Sequence, residues 1–149
     1  MFDKNKEIPI SADHGGYDMK QYLIEKLSER GYKFKDMGTF SKESVDYPDF
    51  IHPLAKAVNN GIYGLGIILC GSGNGAQMAA NKYPNVRAGL AWDKEQAELT
   101  RKHNNANILS LPGRFVDFDN AVEMVEVFLN TEFEGGRHNR RVEKISQTS

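Results

Sequence analysis

Short apolar runs alternate with longer amphipathic ones along the chain, and glycines close the first two of the amphipathic runs. This alternation, repeated five times, predicts an α/β fold: a three-layer α/β/α, Rossmann-like arrangement with a five-stranded parallel sheet between helix layers. A basic helical stretch after the last repeat adds a C-terminal tail. The 149 residues are the size of a single domain, which buries about 70% of its unfolded surface. The expected domain spans 1–149, with the tail helix over about 134–149.

The elements follow from local pattern. Glu7 to Ala12 (EIPISA) predicts the first strand, with Pro9 tolerable near an edge or an end. Gly16 to Arg30 predicts a helix with Met19, Leu23, Ile24 and Leu27 on one face and Gly31 closing it. Tyr32 to Met37 alternates as a second strand. Asp49 to Asn60 forms the next helix, turning Ile51, Leu54, Ala55 and Val58 inward and His52 outward, and Gly61 ends it. Leu65 to Cys70 is continuously apolar, the mark of a strand covered on both faces. A short helix over Ala76 to Lys82 leads to a strand at Arg87 to Ala91. Asp93 and Gln96 then form a capping-box pair for a helix reaching about His103. Asn107 to Leu111 is the fifth strand, Asp119 to Asn130 a helix, and the tail becomes helical near Arg137.

Composition narrows the function classes. A net charge of -1 lacks the basic excess of a sequence-independent nucleic-acid binder. No apolar run approaches the length of a membrane span, and the start lacks a secretory pattern, so a soluble cytoplasmic protein without nucleic-acid or membrane partners is expected. The single cysteine excludes an intrachain disulfide. Without an HExxH or a paired-histidine motif, neither a metal nor any other cofactor is expected.

In open parallel sheets, ligands bind beyond the carboxyl ends of the strands. Asp13-His14, Cys70 to Gly75, Asp93 and Arg114 all fall there, whereas periodicity leaves the position of His103 open. Gly71, Gly73 and Gly75 allow backbone N–H groups to turn inward around an anion or a developing oxyanion. A cysteine heading such a loop is favoured as thiolate, and Ser72 adds a hydroxyl. The plain alternative is a buried cysteine ending a core strand beside a tight turn. A P-loop is excluded because no Gly-Lys pair occurs, and a cysteine phosphatase because position 76 is Ala76 rather than arginine. Gly71-x-Gly73-x-x-Ala76 fits a dinucleotide fingerprint with Asp93 22 residues on (93 − 71 = 22), but it follows the third strand and leaves no room for a substrate domain.

Asp13 suits a substrate hydroxyl and His14 a phosphate, against a helix-capping Asp beside an exposed His. His103, at a helix end, is either a capping imidazole or a general acid or base. Arg137, Arg140 and Arg141 share one side if helical, as a phosphate clamp or a solvated basic face.

The segments ADHGG (12–16), DYPDF (46–50), CGSGNG (70–75), AANK (79–82), RKHNNAN (101–107), PGR (112–114) and EGGRHNRR (134–141) resemble, in order, ribose-5-phosphate isomerase of the B type and its relatives acting on allose and galactose 6-phosphates. The resemblance implies an aldose–ketose isomerase on ribose 5-phosphate, as in the pentose phosphate pathway, with allose or galactose 6-phosphate as alternative substrates and a non-catalytic phosphosugar-binding protein as the other reading. It implies Cys70 as the base and Gly71, Ser72, Gly73, Asn74 and Gly75 as the oxyanion loop. It implies His103 for ring opening, with Asn104, Asp13, His14 and Tyr47 contacting the sugar. Arg114, Arg137 and Arg141 then hold the phosphate, with His138 nearby. It also implies a homodimer, or a tetramer, whose site is shared between subunits and to which the tail contributes. Some relatives replace the cysteine by a glutamate at the end of the loop; here Cys70 is present and Ala76 stands at the other position. The galactose 6-phosphate enzymes resemble paired subunits that divide the catalytic residues, whereas this chain carries the full set.

Overall fold

The computed structural model describes residues 1–148, and Ser149, the last residue of the expected tail, lies outside them. In chain order the elements are β1 (Glu7–Ala12), α1 (Tyr17–Glu29), β2 (Lys33–Asp36), α2 (Tyr47–Asn59), β3 (Gly66–Cys70) and α3 (Asn74–Ala80). There follow β4 (Ala88–Leu90), α4 (Lys94–Asn104), β5 (Ile108–Pro112), α5 (Phe118–Asn130) and α6 (His138–Ile145). The five strands form one parallel sheet in the order β2-β1-β3-β5-β4.

Alternation along each strand divides the core into two layers. Ile8, Ile10, Ala12, Ile67, Leu69, Leu109 and Leu111 pack with α1, α4 and α5. Ile68, Cys70, Ala88 and Ile108 pack with α2 and α3 on the other face. From β1 the chain first moves outward to β2 and then back across to β3, so the sheet order reverses between β1 and β3. The switch point, where ligands bind in folds of this kind, therefore lies beside the loops that begin at Asp13 and Gly71.

Several boundaries differ from the sequence reading, each for a local reason. Helix α2 begins two residues early, at Tyr47, because Pro48 in the first turn presets a helical φ. Helix α3 begins at Asn74, since Gly73 with φ of 76° reverses the chain before it. Pro9 lies in an interior strand, yet the β1–β3 register starts only at Ile10↔Ile67, so its missing N–H falls at the end of that ladder. Asp93 caps α4 by accepting from Gln96 N–H at 2.8 Å, one half of the expected reciprocal pair. His52 is half-buried rather than solvated, with its Nδ1 3.0 Å from Tyr83 Oη. The tail helix starts at His138, after a turn at Gly135 and Gly136 with positive φ.

Gly16, which opens α1, marks how closely the layers approach. A Cβ there would lie 2.6 Å from Leu69 Cβ and 3.0 Å from the Leu69 carbonyl carbon. Gly16→Ala should therefore cost about 1–3 kcal/mol through overpacking and lower the urea midpoint at constant slope. An unchanged midpoint would mean that α1 has room to move off β3.

Candidate active site

The loop after β3 is built from close contacts that exclude side chains. Cys70, 5% exposed, ends β3, and its carbonyl accepts from Gly113 N–H at 2.9 Å. The Gly71 carbonyl accepts from Arg114 N–H at 3.0 Å, which ties the β3 loop to the one after β5. Gly73 is anchored from below: Ser110 Oγ donates to its carbonyl at 2.7 Å and Gln77 N–H at 3.1 Å. Ser72 Oγ accepts from Asn74 N–H at 3.3 Å. Among the described residues, the N–H groups of Gly71, Ser72, Gly73 and Gly75 have no acceptor within the chain. Donors held rigidly by their carbonyl anchors and left unpaired form a site for developing negative charge.

Neighbouring elements close around this loop. Asp13 Oδ1 accepts from the N–H groups of Gly15 at 2.8 Å and Gly16 at 3.2 Å, so the carboxylate shapes its own turn rather than capping α1 by the usual geometry. His14 Nδ1 accepts from Val45 N–H at 3.1 Å, which orients the ring and selects the tautomer with its proton on Nε2. The Tyr47 ring covers Gly75 so closely that a Cβ there would lie 2.6 Å from Tyr47 Cζ. The exposed Arg114 side chain lies along Gly71, with Nη1 3.2 Å from where a Cβ would stand.

The remaining predicted residues form a second cluster. Because β4 and β5 are parallel, α4 returns from the carboxyl to the amino edge of the sheet, about 16 Å away over its 11 residues. His103 and Asn104 end that helix. The His103 ring stacks on His138 of α6 with centroids 4.4 Å apart, and Glu134 N–H bonds to the Lys102 carbonyl at 3.0 Å. Arg137 and Arg141 flank His138 and stay exposed. None of Arg114, Arg137, Arg140 and Arg141 has a carboxylate partner among the described residues, so their charges are available to an anion. One chain thus holds Asp13, His14, Tyr47, Cys70 to Gly75 and Arg114 at one end of the sheet, and His103, Asn104, Arg137 and Arg141 at the other.

Residues 8–145 match the family model described as Ribose/Galactose Isomerase. The chain belongs to the ribose/galactose isomerase family. It is 39% identical over 141 residues to ribose-5-phosphate isomerase B of Escherichia coli (strain K12), covering 95% of each chain. Its fold superposes on Clostridium thermocellum ribose-5-phosphate isomerase B with a TM-score of 0.92 at 46% identity, covering 95% of this chain and 96% of that one. It also superposes on the Mycoplasma genitalium enzyme, a structure with bound ribulose 5-phosphate, with a TM-score of 0.89 at 40% identity over 95% and 94% of the two chains.

Within this family member, the structure adds residues that the sequence reading did not single out. Val45 orients His14, Ser110 holds Gly73, and Gly15 and Gly113 let the three loops touch. Gly15 and Gly113 carried a signal, since both lie inside matching segments; Val45 and Ser110 carried none, because their roles depend on register.

His138 is 6% exposed, and its Nε2 has no hydrogen-bond partner among the described residues. Burial, together with the adjoining His103 ring and the Arg137 and Arg141 cations, pushes its imidazole below the ordinary 6.5, against an opposing pull from Glu134. The folded chain therefore binds this proton less readily than the unfolded one. Stability from this group is intact above pH 6.5 and should fall as pH drops from there through the lowered folded value. Urea midpoints measured against pH should show this decline, and His138→Phe should flatten it; an equal decline in that variant would place the effect elsewhere.

Proposed function

We propose that this chain interconverts ribose 5-phosphate and ribulose 5-phosphate, as a cytoplasmic homodimer whose sites each draw residues from two copies. The observation that carries the catalytic half is a cysteine heading a loop of unpaired N–H groups at the switch point of the sheet. The names of the similar enzymes and the ribulose 5-phosphate bound to one of them support the substrate.

The dimer is supported by the separation of the two clusters. Ring opening and proton transfer act on one sugar, yet within a chain His103 stands at the far edge of the sheet from Cys70. A second copy brings its His103, Asn104, Arg137 and Arg141 to the first copy's glycine loop, and a two-fold arrangement does this twice. Edge strand β4 and the groove of about 630 Å³ beside it, lined in part by Val86, Leu90, Ala106 and Ile145, offer an uncovered surface for that copy. The cytoplasmic assignment rests on Cys70, which must stay a free thiol, and among the described residues no helix is long and apolar enough to cross a membrane.

The chemistry follows from these placements. His103 of one copy assists opening of the furanose, and the arginines fix the phosphate so that C1 and C2 lie at the loop. The Cys70 thiolate takes the proton from C2, the electrons of that bond move into C1–C2, and the C1 carbonyl oxygen becomes an enediolate oxygen held by loop N–H groups. Cys70 returns the proton to C1, and a proton passing from O2 to O1 completes the ketose. Asp13, whose Oδ2 has no partner among the described residues, is placed to accept from a sugar hydroxyl.

Cys70→Ala should retain the fold and phosphate-dependent binding but lose about 10²–10⁴-fold in turnover of ribose 5-phosphate to ribulose 5-phosphate. Retention of more than about a tenth of wild-type kcat would remove Cys70 from the base role. Preferential turnover of allose 6-phosphate by the wild type would keep the chemistry and change the substrate.

A further inference from the structure

Lys20 lies in the first turns of α1, yet its side chain has no solvent exposure. Its Nζ donates to both carboxylate oxygens of Asp36 at 2.8 Å and to Gln21 Oε1 at 2.7 Å. The rings of Tyr17 and Phe40 face the ammonium, with centroids 5.3 and 5.8 Å from Nζ. Taking a lysine charge out of water is costly, and a buried ion pair is weak evidence for stability in itself. What this pair does offer is a fixed connection between two segments.

Both segments end in candidate substrate contacts. On one side, Lys20 N–H donates to the Gly16 carbonyl at 2.9 Å, so the ammonium extends from the turn that follows Asp13 and His14. On the other, Asp36 ends β2, and its Oδ1 also accepts from Gly38 N–H at 2.9 Å. From Gly38 the chain crosses over the end of β1, where Thr39 N–H bonds to the Ala12 carbonyl at 2.7 Å. It then reaches Val45, whose N–H holds His14, and Tyr47, whose ring covers Gly75. Phe40 is 69% exposed and turns toward the lysine rather than into the core, so the crossing segment has little apolar anchorage at this point.

We infer that Lys20 is a positioning residue for the isomerase site: paired with Asp36, it fixes the 38–46 segment so that Val45 orients His14 and Tyr47 stays on the glycine loop. The kinetic consequence rests on the sugar-phosphate isomerase reading; the structural consequence does not. Lys20 touches neither substrate nor reacting atoms. It acts through His14 and Tyr47, which contact the sugar phosphate, so its loss weakens substrate placement more than proton transfer.

The test is Lys20→Met in the full chain, followed by steady-state kinetics and by nitrogen-15 NMR of the His14 ring. KM for ribose 5-phosphate should rise about tenfold or more while kcat changes less than about threefold. In the same variant, His14 should lose the signature of a ring protonated on Nε2 with Nδ1 accepting. Lys20→Met/Asp36→Leu removes both charges, leaves no unpaired carboxylate, and serves if the single variant does not fold. Both readouts should move together in whichever variant is folded. A folded variant with lower thermal stability but unchanged KM or an unchanged His14 signal would overturn the inference and leave the pair a purely structural one. If the wild type turned over no sugar phosphate, the isomerase reading would fall, while the His14 signal would still decide whether Lys20 positions that ring.

Discussion

Backbone touches backbone where three loops meet at the carboxyl edge of the sheet. A Cβ on Gly15 would stand 2.9 Å from Gly71 N, and one on Gly113 would stand 2.8 Å from the Gly15 carbonyl oxygen. No residue other than glycine allows such an approach, and the loops after β1, β3 and β5 are locked together because of it. Cys70 inherits its place from this contact. So does the free orientation of the loop N–H groups, since the neighbouring carbonyls are occupied by Gly113, Arg114 and Ser110. A preorganised donor set costs no rearrangement when charge develops, which is what an enediolate intermediate requires of its surroundings.

The same parallel topology that gathers these loops sends the other candidate residues away. Every helix in an α/β repeat must carry the chain back to the amino edge before the next strand begins. Residues at the end of α4 therefore sit at the edge opposite those that follow a strand. His103 is placed there with its ring stacked on His138, and α6 adds its arginines around the pair. The proposed homodimer answers this separation, because a second copy would bring the His103 cluster of one chain to the Cys70 loop of the other.

Much of this was legible in the sequence, for reasons that differ by feature. The fold followed from periodicity, because β3 is apolar throughout and α1, α2 and α5 each show one apolar face. Cys70 and its glycines stood out because a thiol before three spaced glycines has few uses. What escaped were relations between distant segments. Nothing local to Val45 signals that its N–H meets a histidine 31 residues earlier, and nothing near Lys20 signals a partner 16 residues on. Helix starts at Tyr47 and Asn74 were placed late for a similar reason, since a proline and a left-handed glycine altered the first turn. The far position of His103 needed the direction of α4, which periodicity does not provide.

The proposed homodimer requires Cys70 and His103 to act on one sugar from two different chains. Mixing Cys70→Ala and His103→Ala subunits, unfolded and refolded together, tests it directly. If sites form between copies, half of the random dimers are mixed and each has one intact site, so activity should return to about a quarter of wild type from two inactive parents. If each chain builds its own site, every site in the mixture carries a lesion, and the mixture will stay as inactive as its parents.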